Sequence, residues 1–183
     1  MRPMTDMDDE MLAGRAAAGE REAFRVLLER HYDRVFRVAY GVVRHETEAQ
    51  DVAQDVWAAI PRRLRSWRGD ARFATWLHSV TLNAARDSLR RGAARTRASA
   101  GFAEIDDLRR GEAAEDAARL HWLRVALEAL SDDLRETAAL VLGDDMTHAQ
   151  AAEILEIAEG TVAWRMSEVR KRLKTMASEE ALI

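Results

Sequence analysis

Apolar residues recur at steps of three and four along most of this chain, and that period leaves the α-helix as the regular element it can build. Phe24, Leu27, Leu28, His31, Val35, Ala39 and Val42 line one face of a segment from about Arg21 to Arg44. After a short break at His45-Glu46, Val52, Val56, Ile60 and Leu64 line a second, from about Thr47 to Ser66. Two prolines and nine glycines in 183 residues are too few for the turns of a strand-rich protein. Alanine, leucine, arginine and glutamate, all good helix formers, dominate. The expected fold class is all-α.

Pro61 lacks a backbone donor and predicts a kink, or an end to the regular part of the second helix. Trp67 to Arg72 reads as a loop with Gly69 at its turn, and a third helix follows from Phe73 to about Arg91. Periodicity then fades into small and charged residues, which reads as a flexible linker. The expectation is two small helical domains, residues 1–92 and 116–183, joined by a linker at 93–115. Helical pattern resumes near Ala118. Ser131 can cap a helix over Asp132–Leu142, Gly143 to Met146 form a turn, and Thr147 with Gln150 reads as a capping box. That helix ends near Leu155, and a last one runs from Gly160 to about Met176.

Cysteine is absent, which excludes disulfides, thiolate metal sites and cysteine nucleophiles. No apolar run reaches the roughly 20 residues that cross a bilayer. The acidic first segment lacks a signal core, so a cytoplasmic location is expected. The five histidines are scattered, and no phosphate-loop or dinucleotide fingerprint occurs. No catalytic residue, metal or cofactor is expected.

Charge is segregated. Ten arginines face only Asp70 and Asp87 between Arg62 and Arg97, whereas fifteen acids face five arginines between Gly101 and Glu159. Basic blocks near the middle and the end suit two contacts with nucleic acid. The short helix after Thr147 and the one from Gly160 fit a helix-turn-helix. On the last helix Val162, Met166, Val169, Leu173 and Met176 form the core face. Thr161, Trp164, Arg165, Glu168 and Arg172, with Lys171 beside them, form a stripe carrying donors for phosphates and base edges. On the Phe73–Arg91 helix, Phe73, Leu77, Val80 and Ala84 form the core face. Thr75, Ser79, Asn83, Arg86 and Arg90 form a second stripe, with Trp76 on its border. Arginine, asparagine and hydroxyls beside aromatics suit single-stranded nucleic acid.

Three stretches carry a resemblance. EREAFRVLLERHYDRVFRVA, DVAQDVW and SWRGDARFATWLHSVTLNAARDSLRR resemble region two of bacterial sigma factors, and ALEALSDDLRETAALVLGDDMTHAQAAEILEIAEGTVAWRMSEVRKRLK resembles their region four. The layout is similar to the extracytoplasmic-function (ECF) sigma factors. The resemblance implies a promoter-specificity subunit of RNA polymerase. Region two would be a helical bundle docking on a coiled coil of the β′ subunit through Asp51, Gln54, Asp55 and Trp57. It would open the minus-ten element and hold its non-template strand with Trp67, Arg68, Arg72, Trp76, Ser79, Asn83, Arg86, Arg90 and Arg91. Region four would read the minus-thirty-five duplex with Thr147, Thr161, Trp164, Arg165, Glu168, Lys171 and Arg172. Implied partners are the β′ and β subunits of core polymerase, promoter DNA and an anti-sigma factor. Two other readings are a sigma-like decoy, which needs no basic stripe, and a helix-turn-helix repressor, which needs no acidic docking helix. Against the family pattern, Ala158 replaces a capping serine and Glu156 a turn glycine, and Ala163, Trp164 and Glu168 stand where basic or small residues are common.

Overall fold

A computed structural model describes residues 7–98, 122 and 125–180. Its helices are α1 (Asp9–Ala17), α2 (Arg21–Val43), α3 (Glu46–Leu64), α4 (Phe73–Ala98), α5 (Asp132–Val141), α6 (His148–Leu155) and α7 (Glu159–Glu180). Residues 125–128 are helical too. Among the described residues there is no strand.

Local chemistry sets the boundaries. Asp8 caps α1 by accepting from the Met11 N–H at 2.8 Å. His45 Nδ1 receives the Glu48 N–H at the start of α3. The capping box at α6 is complete: Thr147 accepts from the Gln150 N–H and the Gln150 side chain accepts from the Thr147 N–H. Ser131 holds the extended N-cap backbone of α5 but makes no side-chain cap. Glu156 ends α6 at φ 57°, a left-handed conformation that glycine adopts without penalty.

Three expectations change. α1 was not legible as a helix, yet it buries Leu12, Ala13 and Ala16 against the bundle. Pro61 does not end α3, which continues to Leu64. The proline sits in the last turn, with only three helical residues beyond it. Likewise α4 passes through Gly92 and stops at Ala98, inside the segment read as linker. The remainder of that linker, and most of the helix expected from Ala118, lie outside the described residues.

α2 is the axis of the N-terminal bundle and packs on α1, α3 and α4. α5 also lies against α2, and α6 against α4. One continuous apolar cluster therefore runs from Leu12, Val35, Ile60 and Phe73 into Ala139, Leu140, Ile154, Val162 and Met166. Each fully buried leucine or valine in it is worth about 1.5–3 kcal/mol of transfer free energy. Gly41 permits the closest approach, since a Cβ there would stand 2.5 Å from the Ala139 Cβ. The two modules, read from sequence as loosely tethered, are docked side by side.

Candidate nucleic-acid interface

α3 separates its surfaces cleanly. Val52, Ala53, Val56 and Ile60 are buried, while Asp51, Gln54 and Asp55 stand exposed on one face. Trp57 corrects the sequence reading of this face. The residue is 4% exposed and its ring packs edge-on to Phe24 at 6.0 Å, so it lies beneath the acidic face and not on it.

The loop before α4 is built on aromatics. Phe73 is fully buried, and the half-buried rings of Trp67 and Trp76 lie 6.0 and 5.9 Å from it and 6.1 Å from each other. Such a cluster holds the loop from below. The buried Trp67 Nε1 has no hydrogen-bond partner among the described residues. Gly69 turns the loop at φ 77°, and Arg68 pairs with Asp70 at 3.2 Å in open solvent. Arg72 is exposed as well.

Along α4 the predicted stripe divides. Asn83, Arg90 and Arg91 are exposed, and Arg90 pairs with Asp87. Ser79 is half-buried and donates to the Thr75 carbonyl at 3.2 Å. Arg86 behaves differently. Its Nε and Nη2 donate to the two carboxylate oxygens of Glu136 on α5, each at 2.7 Å. The Glu136 hydrogen bond raises the Arg86 pKa, with smaller help from the charges of Glu136, Asp133 and Glu156. So the stripe predicted to face DNA is closed at its centre by the C-terminal module. His78 and Thr81 on α4 are also buried, on a face that the sequence spacing had not assigned to the core.

His78 Nε2 lies 2.8 Å from Asp144 Oδ2, and its Nδ1 meets the Ala74 carbonyl. Arg37 donates to the same carboxylate at 3.0 Å, and Arg34 approaches it at 3.5 Å. Burial pushes the Asp144 carboxyl up. The His78 and Arg37 hydrogen bonds, with the His78 and Arg34 charges, outweigh it and hold the group below the ordinary aspartate value.

On α7, Val162, Met166 and Val169 are fully buried and Trp164 is 62% exposed, the most exposed of the large apolar side chains described. Arg165 does not share its face. Its Nη2 donates to Asp133 at 2.9 Å and its Nη1 reaches the Thr137 hydroxyl at 3.5 Å, which fastens α7 to α5. Thr147 is spent on the α6 cap, Thr161 is half-buried, Glu168 pairs loosely with Lys171 at 3.8 Å, and Arg172 is exposed. Ser167 and Lys171 are exposed beside Trp164, as are Arg170, Arg172 and Lys174 further round the helix. The spacing of α7 alone could not tell that Arg165 turns toward α5, because the place of α5 is set by the tertiary fold.

No helix is long and apolar enough to cross a membrane, and no group of three or more metal-ligating side chains forms, among the described residues.

Two family descriptions match the chain in order: Sigma-70 region 2 over residues 27–96 and Sigma-70, region 4 over residues 120–173. The ECF RNA polymerase sigma factor SigM of Mycobacterium tuberculosis H37Rv is 34% identical over 169 residues, covering 91% of this chain and 82% of its own. The RNA polymerase sigma-H factor of Pseudomonas aeruginosa is 26% identical over 181 residues, covering 93% and 94%. Among solved structures, CnrH in complex with the cytosolic domain of CnrY superposes with a TM-score of 0.72 at 26% identity, covering 93% of this chain and 97% of that one.

Proposed function

This chain belongs to the ECF sigma factors of bacterial RNA polymerase, and from that premise we propose how its surfaces divide the work of starting transcription. An ECF sigma factor binds core polymerase, directs it to promoters and has no catalytic activity of its own. Asp51, Gln54 and Asp55 on α3 meet a basic helix of core. Acids one turn apart present two carboxylates to one cationic partner. Arg68, Arg72, Asn83, Arg90 and Arg91 then track the phosphates of the opened minus-ten strand, while the Trp67–Trp76 cluster offers a π-surface to bases that leave the stack. Ser79 and Arg86 join this surface when region four moves away.

Region four enters the major groove of the minus-thirty-five duplex with α7. Trp164 lies against a thymine methyl, and Ser167, Arg170, Lys171 and Lys174 contact phosphates or base edges, flanked by Thr161, Glu168 and Arg172. Arg165 and Thr147 position α7 and α6 and do not read bases. The action takes place in the cytoplasm, where the polymerase is.

The observation that carries this reading is the exposed acid face of α3 beside the arginine-rich surface of α4. A decoy would have no use for the second surface, nor a repressor for the first. Control by an anti-sigma factor fits an apolar cavity of about 330 Å³ between α2 and α5. Phe36, Tyr40, Leu142 and Leu173 line it together with Arg37, Arg44 and Arg135, so an amphipathic helix carrying acidic residues beside its apolar face is the matching shape. The decisive experiment is in vitro transcription by bacterial core polymerase across a promoter library, with and without this protein. Transcripts that appear only when it is added support the reading. No complex with core and no directed RNA would end it.

A further inference from the structure

Two adjacent acids of α1 converge on Phe73, the residue that ends the loop before α4. Glu10 lies 63 positions away in the chain, and its Oε1 accepts the Phe73 backbone N–H at 3.2 Å. Its neighbour Asp9 takes His31 Nε2 at 2.7 Å and Arg30 Nη1 at 2.8 Å, both from α2. His31 is buried, and its ring packs edge-on against the Phe73 ring at 5.5 Å. Phe73 is thus held twice, at its backbone by Glu10 and at its ring by the Asp9–His31 pair. It is also the residue on which Trp67 and Trp76 rest.

α4 lacks means of its own to secure this end. The Trp76 N–H bonds to the Arg72 carbonyl at 3.0 Å, which makes Arg72 the N-cap residue. Arginine has no acceptor to offer the orphan N–H groups, and its charge opposes the positive end of the helix. The first turn of α4 holds no acid either. Glu10 brings the missing acceptor and negative charge from another helix. We propose that α1 positions the loop at residues 67–72, with Glu10 fixing the Phe73 backbone and Asp9 fixing its ring through His31. The Trp67–Trp76 surface and the loop arginines then stand in place before a strand arrives, so less ordering opposes binding. The consequence for DNA rests on the minus-ten reading above; the hold on Phe73 does not. Acids in the first turn of α1 also favour that helix's own dipole. That general role would stabilise α1 and leave the loop untouched, so the two are separable.

The test uses the full chain carrying Glu10→Ala, Glu10→Gln or Asp9→Ala. Hydrogen exchange read by mass spectrometry follows the peptides spanning residues 67–76, with those of α2 and α3 as internal references. With core polymerase added, anisotropy of labelled mixed-sequence single-stranded DNA follows holoenzyme binding, measured against core alone. In Glu10→Ala, loss of one cap should speed exchange over residues 73–76 roughly fivefold. Strand affinity should fall at least about twofold, with the references and core affinity unchanged. Glu10→Gln keeps an oxygen acceptor and should restore both. Asp9→Ala should loosen the same peptides and also lower the unfolding midpoint, because His31 and Arg30 lose their carboxylate. Glu10 is exposed, so its variants decide the matter if Asp9→Ala does not fold. Unchanged exchange over residues 67–76 in Glu10→Ala overturns the proposal, as does acceleration spread equally over α2 and α3. Faster exchange confined to residues 67–76 with unchanged strand binding supports the hold on Phe73 and removes this loop from the minus-ten surface.

Discussion

The acids of α3 and those of α5 look alike in sequence and meet opposite fates. Asp51 and Asp55 stand one turn apart, as do Asp133 and Glu136. The α3 pair is exposed and has no ion-pair partner among the described residues. On α5, Asp133 holds Arg165 of α7 and Glu136 holds Arg86 of α4. The α3 acids face solvent, whereas on α5, packed between α2 and α7, the buried Glu136 is neutralised by Arg86 and the exposed Asp133 pairs with a largely buried Arg165. The same residue type is therefore left to solvent in one place and paired within the molecule in the other.

The strongest test of that contrast removes what lies beneath the α3 face. Trp57→Ala should cost about 3–5 kcal/mol of stability, as loss of a buried aromatic does, and denaturant unfolding reads it directly. A loss under 1 kcal/mol would mean that the ring is available to a partner after all. Next in size, Asp51→Arg with Asp55→Arg should lower affinity for core polymerase at least ~100-fold, about 2.7 kcal/mol. Its melting temperature should stay near that of the wild type. Normal core affinity would show that the exposed acids do not make the assembly surface.

The inward acids should reveal themselves through pH. Asp144, facing His78 on α4 and Arg34 and Arg37 on α2, and Asp9, bonded first to His31 and then to Arg30, both have lowered values. A carboxyl depressed by folding contributes stability that is complete above its unfolded value, about 3.9, and is lost as pH falls through its folded value. Denaturant midpoints should therefore be insensitive to these two groups above about pH 5 and decline below pH 4. In Asp144→Asn part of that decline should vanish. A full decline in the variant would place the acid sensitivity elsewhere.

Smaller effects sharpen the picture at region four. Glu156→Gly should add about 1 kcal/mol by relieving the left-handed backbone at the end of α6, measured as a shift in midpoint. Trp164→Ala should change stability by less than ~0.5 kcal/mol, as exposed substitutions do, yet weaken transcription that depends on the minus-thirty-five element. An unchanged promoter profile would remove Trp164 from DNA reading.

Much of the fold was legible because helical period and capping chemistry are local. The capping box of Thr147 and Gln150, the loop at Gly69 and the core faces of α2 and α3 all follow from residues a few positions apart. α1 escaped because its apolar face is three residues, Leu12, Ala13 and Ala16, too few to stand out as a period. The candidate site was legible in type and less so in orientation. Arginines on α4 and a tryptophan on α7 were visible as nucleic-acid chemistry. That Arg86 and Arg165 are each held by a carboxylate of α5 was not, because those pairs join positions 50 and 32 residues apart.

The chain's order of residues determined which segments are helices, where they begin, and that two modules of the sigma type follow one another. Only the tertiary structure decided which charges remain outside, that Trp57 lies under the acidic face of α3, and that Glu136 and Asp144 meet cations of α4 and α2. The division has one physical cause. Backbone period and caps are satisfied within a turn or two of the chain, whereas desolvating a charge depends on whatever distant helix comes to cover it.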